Sequence, residues 1–207
     1  MRPLPRLHAV TDARILDLPD FGVRAAAIAA AGPAVALHAR DRGAPGARLA
    51  EAARRILSLA RPPEAAVLVN GHPELARALG AQGVQLGRGD LSPADARTVM
   101  GSGWIGCSVH SEVEAEEAAL AGADFLLAGT IFQTASHPDV KPAGPELVRS
   151  CSRTGVPVIA IGGITAANIG QVLQAGAWGV ATISAAWLAR DPAEAVVEML
   201  ERVRGEK

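Results

Sequence analysis

The chain has 207 residues, with 20 lysines and arginines against 21 aspartates and glutamates, a formal net charge of −1. That near-balance excludes the one-signed field with which a nucleic-acid binder meets its partner. Hydrophobic residues make up 49% and aromatics only 3% of the chain, with no tyrosine, a composition that suits close helix-on-strand packing better than a β-sandwich.

The N-terminal stretch MRPLPRLHAVTDAR has no long apolar core of a signal peptide. No run approaches the roughly 20 apolar residues of a spanning helix. Cys107 and Cys151 are too few for a disulfide framework, and Cys107 lies in an apolar run where a packed, reduced thiol is expected. The reading is a soluble cytoplasmic protein, one domain over residues 1–207, with no nucleic-acid or membrane partner.

Along the chain, short apolar runs bounded by turn residues alternate with alanine-rich amphipathic stretches of helical length, the pattern of parallel βαβ units. Strands are expected at Leu7–Val10, Ala34–His38, Ala66–Asn70, Val84–Leu86, Trp104–Ser108, Phe125–Ala128, Val156–Ile161 and Gly179–Thr182. Each is apolar on consecutive positions, as a strand covered on both faces should be. Eight such units predict an α/β fold, a (β/α)8 TIM barrel.

Helix starts support the count. The segments SPAD (92–95), SEVE (111–114) and DPAE (191–194) place Ser92, Ser111 and Asp191 as caps with an acid in the first turn, and TAAN places Thr165 as another. These caps locate the loops at the carboxyl ends of the strands, the rim on which barrels of this class carry their chemistry.

On that rim, VIAIGGI ends in Gly162 and Gly163, whose bare backbone can approach an anion. Ile183 and Ser184 follow the neighbouring strand, so the four together are candidates for a phosphate held between the last two loops. His110, beyond the strand end GCSVHS, is the candidate acid–base group, since an imidazole gains and loses a proton near neutral pH. His38 and His137 are expected to add polar groups to the same rim. His8 lies inside a strand, and His72, before a helix-starting proline, reads as a cap.

Asp90 and Asn70 follow strand ends and could hold Mg²⁺ together with a substrate phosphate, although one carboxylate is a thin metal site and bracing a loop is an equal use for Asp90. The polar segment 132–146 after the sixth strand reads as an active-site flap. Trp178 and Trp187 either pack on the first helix or leave a homodimer face.

The ordered set LHAVTD, VNGHPELARALGAQGVQLGRGDLSP, IGCSVHS, AGADFLLAGTIFQT, PAG, PVIAIGGIT and AGAWGVATIS, from about residue 7 to 186, closely resembles the thiamine phosphate synthase superfamily. The resemblance implies a (β/α)8 barrel and one of two activities. A synthase joins a pyrimidine pyrophosphate to a thiazole phosphate with Mg²⁺; a TenI-type tautomerase aromatises a carboxythiazole phosphate and needs no cofactor.

Where synthases carry glutamine, arginine and lysine in the second strand, this chain has Ala36, His38 and Arg40. The Asn-Asp pair becomes Asn70-Gly71, and the flap's threonine, threonine and lysine become Thr134, Ser136 and His137. A pyrophosphate leaving group needs its charge neutralised, so these exchanges weaken the synthase reading.

The expectation is therefore a thiazole tautomerase. His110 is its catalytic group. Arg40, Asn70, Ser108, Thr134, Ser136 and His137 hold the ring and carboxylate, and Gly162, Gly163, Ile183 and Ser184 hold the phosphate. The alternatives are the synthase, with Asp90 and Asn70 on Mg²⁺, and a non-catalytic sensor of thiazole or thiamine phosphate.

Overall fold

A computed structural model describes residues 3–61, 64–134 and 140–205. Eight parallel strands close into a barrel in sequence order: β1 (Leu7–Val10), β2 (Val35–Ala39), β3 (Ala66–Asn70), β4 (Gly83–Leu86), β5 (Trp104–Val109), β6 (Phe125–Ala128), β7 (Val158–Ile161) and β8 (Gly179–Thr182). The barrel shuts by pairing β1 with β8, Leu7 opposite Val180.

The expected strands hold to within one or two residues. The largest shift is at β7, which begins at Val158 because Pro157 has no N–H to give the ladder; its carbonyl still accepts from Leu126 at 2.9 Å.

Helices pack outside. The first three are α1 (Ala13–Leu16), α2 (Phe21–Ala29) and α3 (Gly46–Ala60); α4 (Pro73–Leu79), α5 (Pro93–Met100), α6 (Glu112–Leu120) and α7 (Pro145–Ser152) cover the middle of the sheet; α8 (Ile169–Gln174), α9 (Ser184–Trp187) and α10 (Pro192–Arg204) complete the ring. Ser92 accepts from the Asp95 N–H, Ser111 from Glu114 and Asp191 from Ala193 and Glu194, so three expected caps are present.

One cap expectation fails and another holds in position only. Thr165 does not start a helix. Its own N–H donates to Asn168 Oδ1, closing a turn, and α8 begins only at Ile169. His72 occupies the cap position of α4 without a side-chain hydrogen bond.

Alternate residues of each strand face in and out. Leu7, Ala9 and Leu37 join the layer beneath the helices, while Val10, Ala36, Leu68, Phe125 and Ile159 fill the barrel. Gly106 faces Phe125 across the β5–β6 pairing, and a Cβ there would run into the Phe125 ring and Gln85 Oε1, so the glycine makes room for the ring.

Trp187 is fully buried and stacks on Phe21 of α2 with centroids 5.4 Å apart, worth about 1 kcal/mol beyond its buried area. Trp178 keeps 37% exposure, with its indole N–H donating to the Leu4 carbonyl and Arg6 over its ring. Both cysteines are free and buried, and burial pushes their thiols up to about 11, away from the reactive thiolate. Among the described residues no helix is long and apolar enough to cross a membrane.

Candidate functional site

At the carboxyl ends of the strands lies a cavity of about 1020 Å³. Arg40, Asn70, Asp90, Ser108, His110 and Thr134 line it, and at the far side so do Gly162, Gly163, Ile183 and Ser184. The candidates scattered over the sequence are thus gathered into one space. Ser136 and His137 lie outside the described residues.

His110 follows β5 and is held from two sides. Its backbone N–H donates to Glu114 Oε2 at 2.7 Å, and its Nδ1 meets the Gly129 carbonyl. A carbonyl only accepts, so Nδ1 carries the hydrogen, and Nε2 is left as the nitrogen that can take up a proton. Glu114 also receives Arg88 at 2.5 Å. Burial would raise its carboxyl, but the His110 N–H and the Arg88 guanidinium together hold it below the usual range, charged and fixed.

Arg40 stands just beyond β2. Buried Thr11 accepts from the Arg40 N–H at 2.9 Å, with its hydroxyl in reach of the His38 and Arg40 carbonyls, and so fixes where the arginine leaves the strand. Burial is the main influence pushing the guanidinium down, reinforced by Arg42 and opposed by Asp12 and Asp41. An arginine remains cationic through such a shift.

Gly162 and Gly163 adopt φ of +103° and +64°, a region that side chains resist, and bring the chain against the next loop. A Cβ on Gly162 would sit 2.7 Å from Thr130 Cγ2, and one on Gly163 would be 2.8 Å from Phe132 Cβ. The glycines are therefore required by packing as well as being open to a ligand. Because β7 pairs with β8, they adjoin Ile183 and Ser184 across the same end of the cavity.

Asp90 accepts from the Gly87 N–H at 2.7 Å and so braces its own loop. Gly71 lies beside it: a Cβ there would be 3.4 Å from Asp90 Oδ2. A second acid at 71 would therefore lie against the first. Among the described residues no group of three or more histidines, cysteines, aspartates or glutamates is gathered to hold a metal.

His38 departs from expectation. It is fully buried, directed into the barrel below the rim, because β2 continues to Ala39 and the alternation turns position 38 inward. His8, set aside as a strand residue, meets it there at 2.8 Å.

Gln85 and Thr182 are among the cavity residues that escaped the sequence reading. Gln85 is 1% exposed and donates to Ser108 Oγ at 3.1 Å, orienting that hydroxyl. Thr182 lines the opposite wall from the end of β8. The signal available for both was a polar residue in an otherwise apolar strand, GVQL and GVAT.

An eight-stranded parallel barrel with a polar cavity at its carboxyl rim defines an α/β-barrel protein built to receive a small polar ligand. The family model for thiamine monophosphate synthase matches residues 7–186. The chain belongs to that family.

A thiamine-phosphate synthase of Marinobacter nauticus is 36% identical over 181 residues, 86% of this chain and 81% of the relative. Another, of Chlorobium phaeobacteroides, is 35% identical over 204 residues, 97% of each. The solved structure of a thiamine phosphate pyrophosphorylase from Pyrococcus furiosus superposes with a TM-score of 0.80 at 33% identity, covering 97% of this chain and 96% of that one.

Proposed function

We propose that this family member is a thiazole tautomerase, which aromatises a carboxythiazole phosphate. The observation that carries the reading is the imidazole of His110, exposed at the cavity wall with its Nδ1–H engaged by Gly129. In this reading the phosphate lies against Gly162, Gly163, Ile183 and Ser184, remote from the reacting carbon, and fixes the ring against His110. Nε2 then removes the ring proton and delivers it to the exocyclic carbon, while the Gly129 carbonyl steadies the transient imidazolium through Nδ1–H. Arg40 pairs with the carboxylate, and Ser108 and Thr134 contact the ring.

The names of the relatives favour a second reading, thiamine phosphate synthase, in which a pyrimidine pyrophosphate is coupled to the thiazole phosphate. Asp90 and the Asn70 amide would hold Mg²⁺, which supplies charge neutralisation for the leaving pyrophosphate. The fit is sparse, one carboxylate and one amide, because Gly71 stands where a second acid would touch Asp90. Arg40 would then face the pyrophosphate.

One experiment separates the two. Proton NMR of the non-aromatic carboxythiazole phosphate with purified protein, in chelator and without pyrimidine, should give the aromatic product rapidly, with the acceleration lost in His110→Ala. No acceleration over buffer, together with Mg²⁺-dependent formation of thiamine phosphate, would establish the synthase. Tight binding without turnover in either assay would favour a sensor.

A further inference from the structure

Beneath the cavity floor runs a chain of contacts that the proposed chemistry does not use. His8 Nε2 lies 3.1 Å from the Pro5 carbonyl, His8 Nδ1 lies 2.8 Å from His38 Nε2, and His38 Nδ1 lies 3.2 Å from Asn70 Oδ1. Both rings are fully buried, with the Phe125 ring 5.3 Å from His8.

The protons can be assigned from one end. The Pro5 carbonyl can only accept, so His8 Nε2 carries a hydrogen, and a neutral imidazole has only one. His8 Nδ1 is therefore an acceptor and His38 Nε2 its donor. By the same count His38 Nδ1 offers a lone pair to Asn70. A bare Nδ1 and the amide oxygen placed against it cannot face each other, so the contact is satisfied only with the amide turned over, its NH₂ toward His38 and its oxygen away.

An extra proton on the pair would reverse the last step, with His38 Nδ1–H donating to the amide oxygen. It would also bury a charge in the closed barrel beside the Phe125 ring.

We infer that His8 and His38 are positioning residues for Asn70: anchored at the Pro5 carbonyl, the neutral pair takes the amide N–H and turns the amide oxygen into the cavity. At this point the site then presents a hydrogen-bond acceptor, the complement of a ligand N–H or O–H. The inference stands whichever reaction the cavity runs.

The test is long-range ¹H–¹⁵N NMR of the full chain with ¹⁵N-labelled histidine at pH 7.5, the signals assigned by single replacement of His8 and His38 with glutamine. Both rings should be neutral with the hydrogen on Nε2. Asn70→Asp, whose carboxylate has no N–H to give, should shift the His38 Nδ1 resonance from that of a bare nitrogen to that of a protonated one. A role in packing alone does not predict that exchange. An Nδ1–H tautomer or a cationic ring at His38 in the unsubstituted protein would overturn the inference. So would an Asn70→Asp spectrum with the His38 pattern unchanged. Should Asn70→Asp fail to fold, the tautomers of the unsubstituted protein decide alone.

Discussion

The barrel holds histidines in two settings, the mouth after β5 and the closed interior between β1 and β2. His110 at the mouth is exposed and pinned through one nitrogen to Gly129. His8 and His38 are sealed from water, each satisfied through both nitrogens. In the proposed reading the same side chain is a proton carrier in one place and a fixed polar strut in the other, and access to solvent makes the difference.

The sharpest way to break this comparison is at the mouth. His110→Ala should lower the tautomerase rate by about 10²–10⁴-fold, the usual contribution of a positioned acid–base group, with the thermal midpoint nearly unchanged. A variant that keeps full activity and a native melting curve would place His110 outside the chemistry.

The interior pair should reveal itself in stability. Burial lowers the His8 pKa from 6.5 to about 4, and His38 well below 6.5 by burial and then by His8. A base depressed in the folded state binds fewer protons there than in the unfolded chain. The loss therefore begins as the pH falls through 6.5 and is complete near the folded pKa. For His8 alone this is about 3 kcal/mol. Urea unfolding from pH 7.5 to 4.5 should show the decline, and His8→Gln should flatten it.

Gly106→Ala probes the same interior without charge. Its methyl group meets Phe125 and Gln85, so overpacking should cost about 1–3 kcal/mol in chemical denaturation, with the tautomerase rate at 25 °C largely retained. Arg40→Met, back at the mouth, should raise KM about tenfold, near 1.4 kcal/mol, with kcat little changed, since a carboxylate contact would act on binding more than on proton transfer.

Much of this contrast was legible in the sequence, though unevenly. Consecutive apolar residues located all eight strands, and the caps at Ser92, Ser111 and Asp191 located the rim that gathers Arg40, Asn70, His110, Gly162 and Ser184. The His8–His38 contact could not be read, because it depends on register: His8 pairs with Ala36 and Val10 with His38, and this sets the two inward rings on a diagonal within reach of each other. Thr165 misled because Asn168, three residues on, uses its side chain to close the turn before the helix begins. Gln85 and Thr11 were visible as polar residues in apolar runs, but only a closed barrel shows what they hold.

The long connection between β6 and α7 is stitched at both ends. Ile131 and Phe132 donate to the carbonyls of Ile161 and Gly162, and Ala143 and Gly144 return to those of Thr130 and Ile131. Entry and exit are thus fastened to each other as well as to the neighbouring wall. The sheet does not register how many residues travel between the two fastenings, and doubling their number costs only about 0.6 kcal/mol in loop closure. This makes the connection an exchangeable part, whose length can change while the frame stays the same.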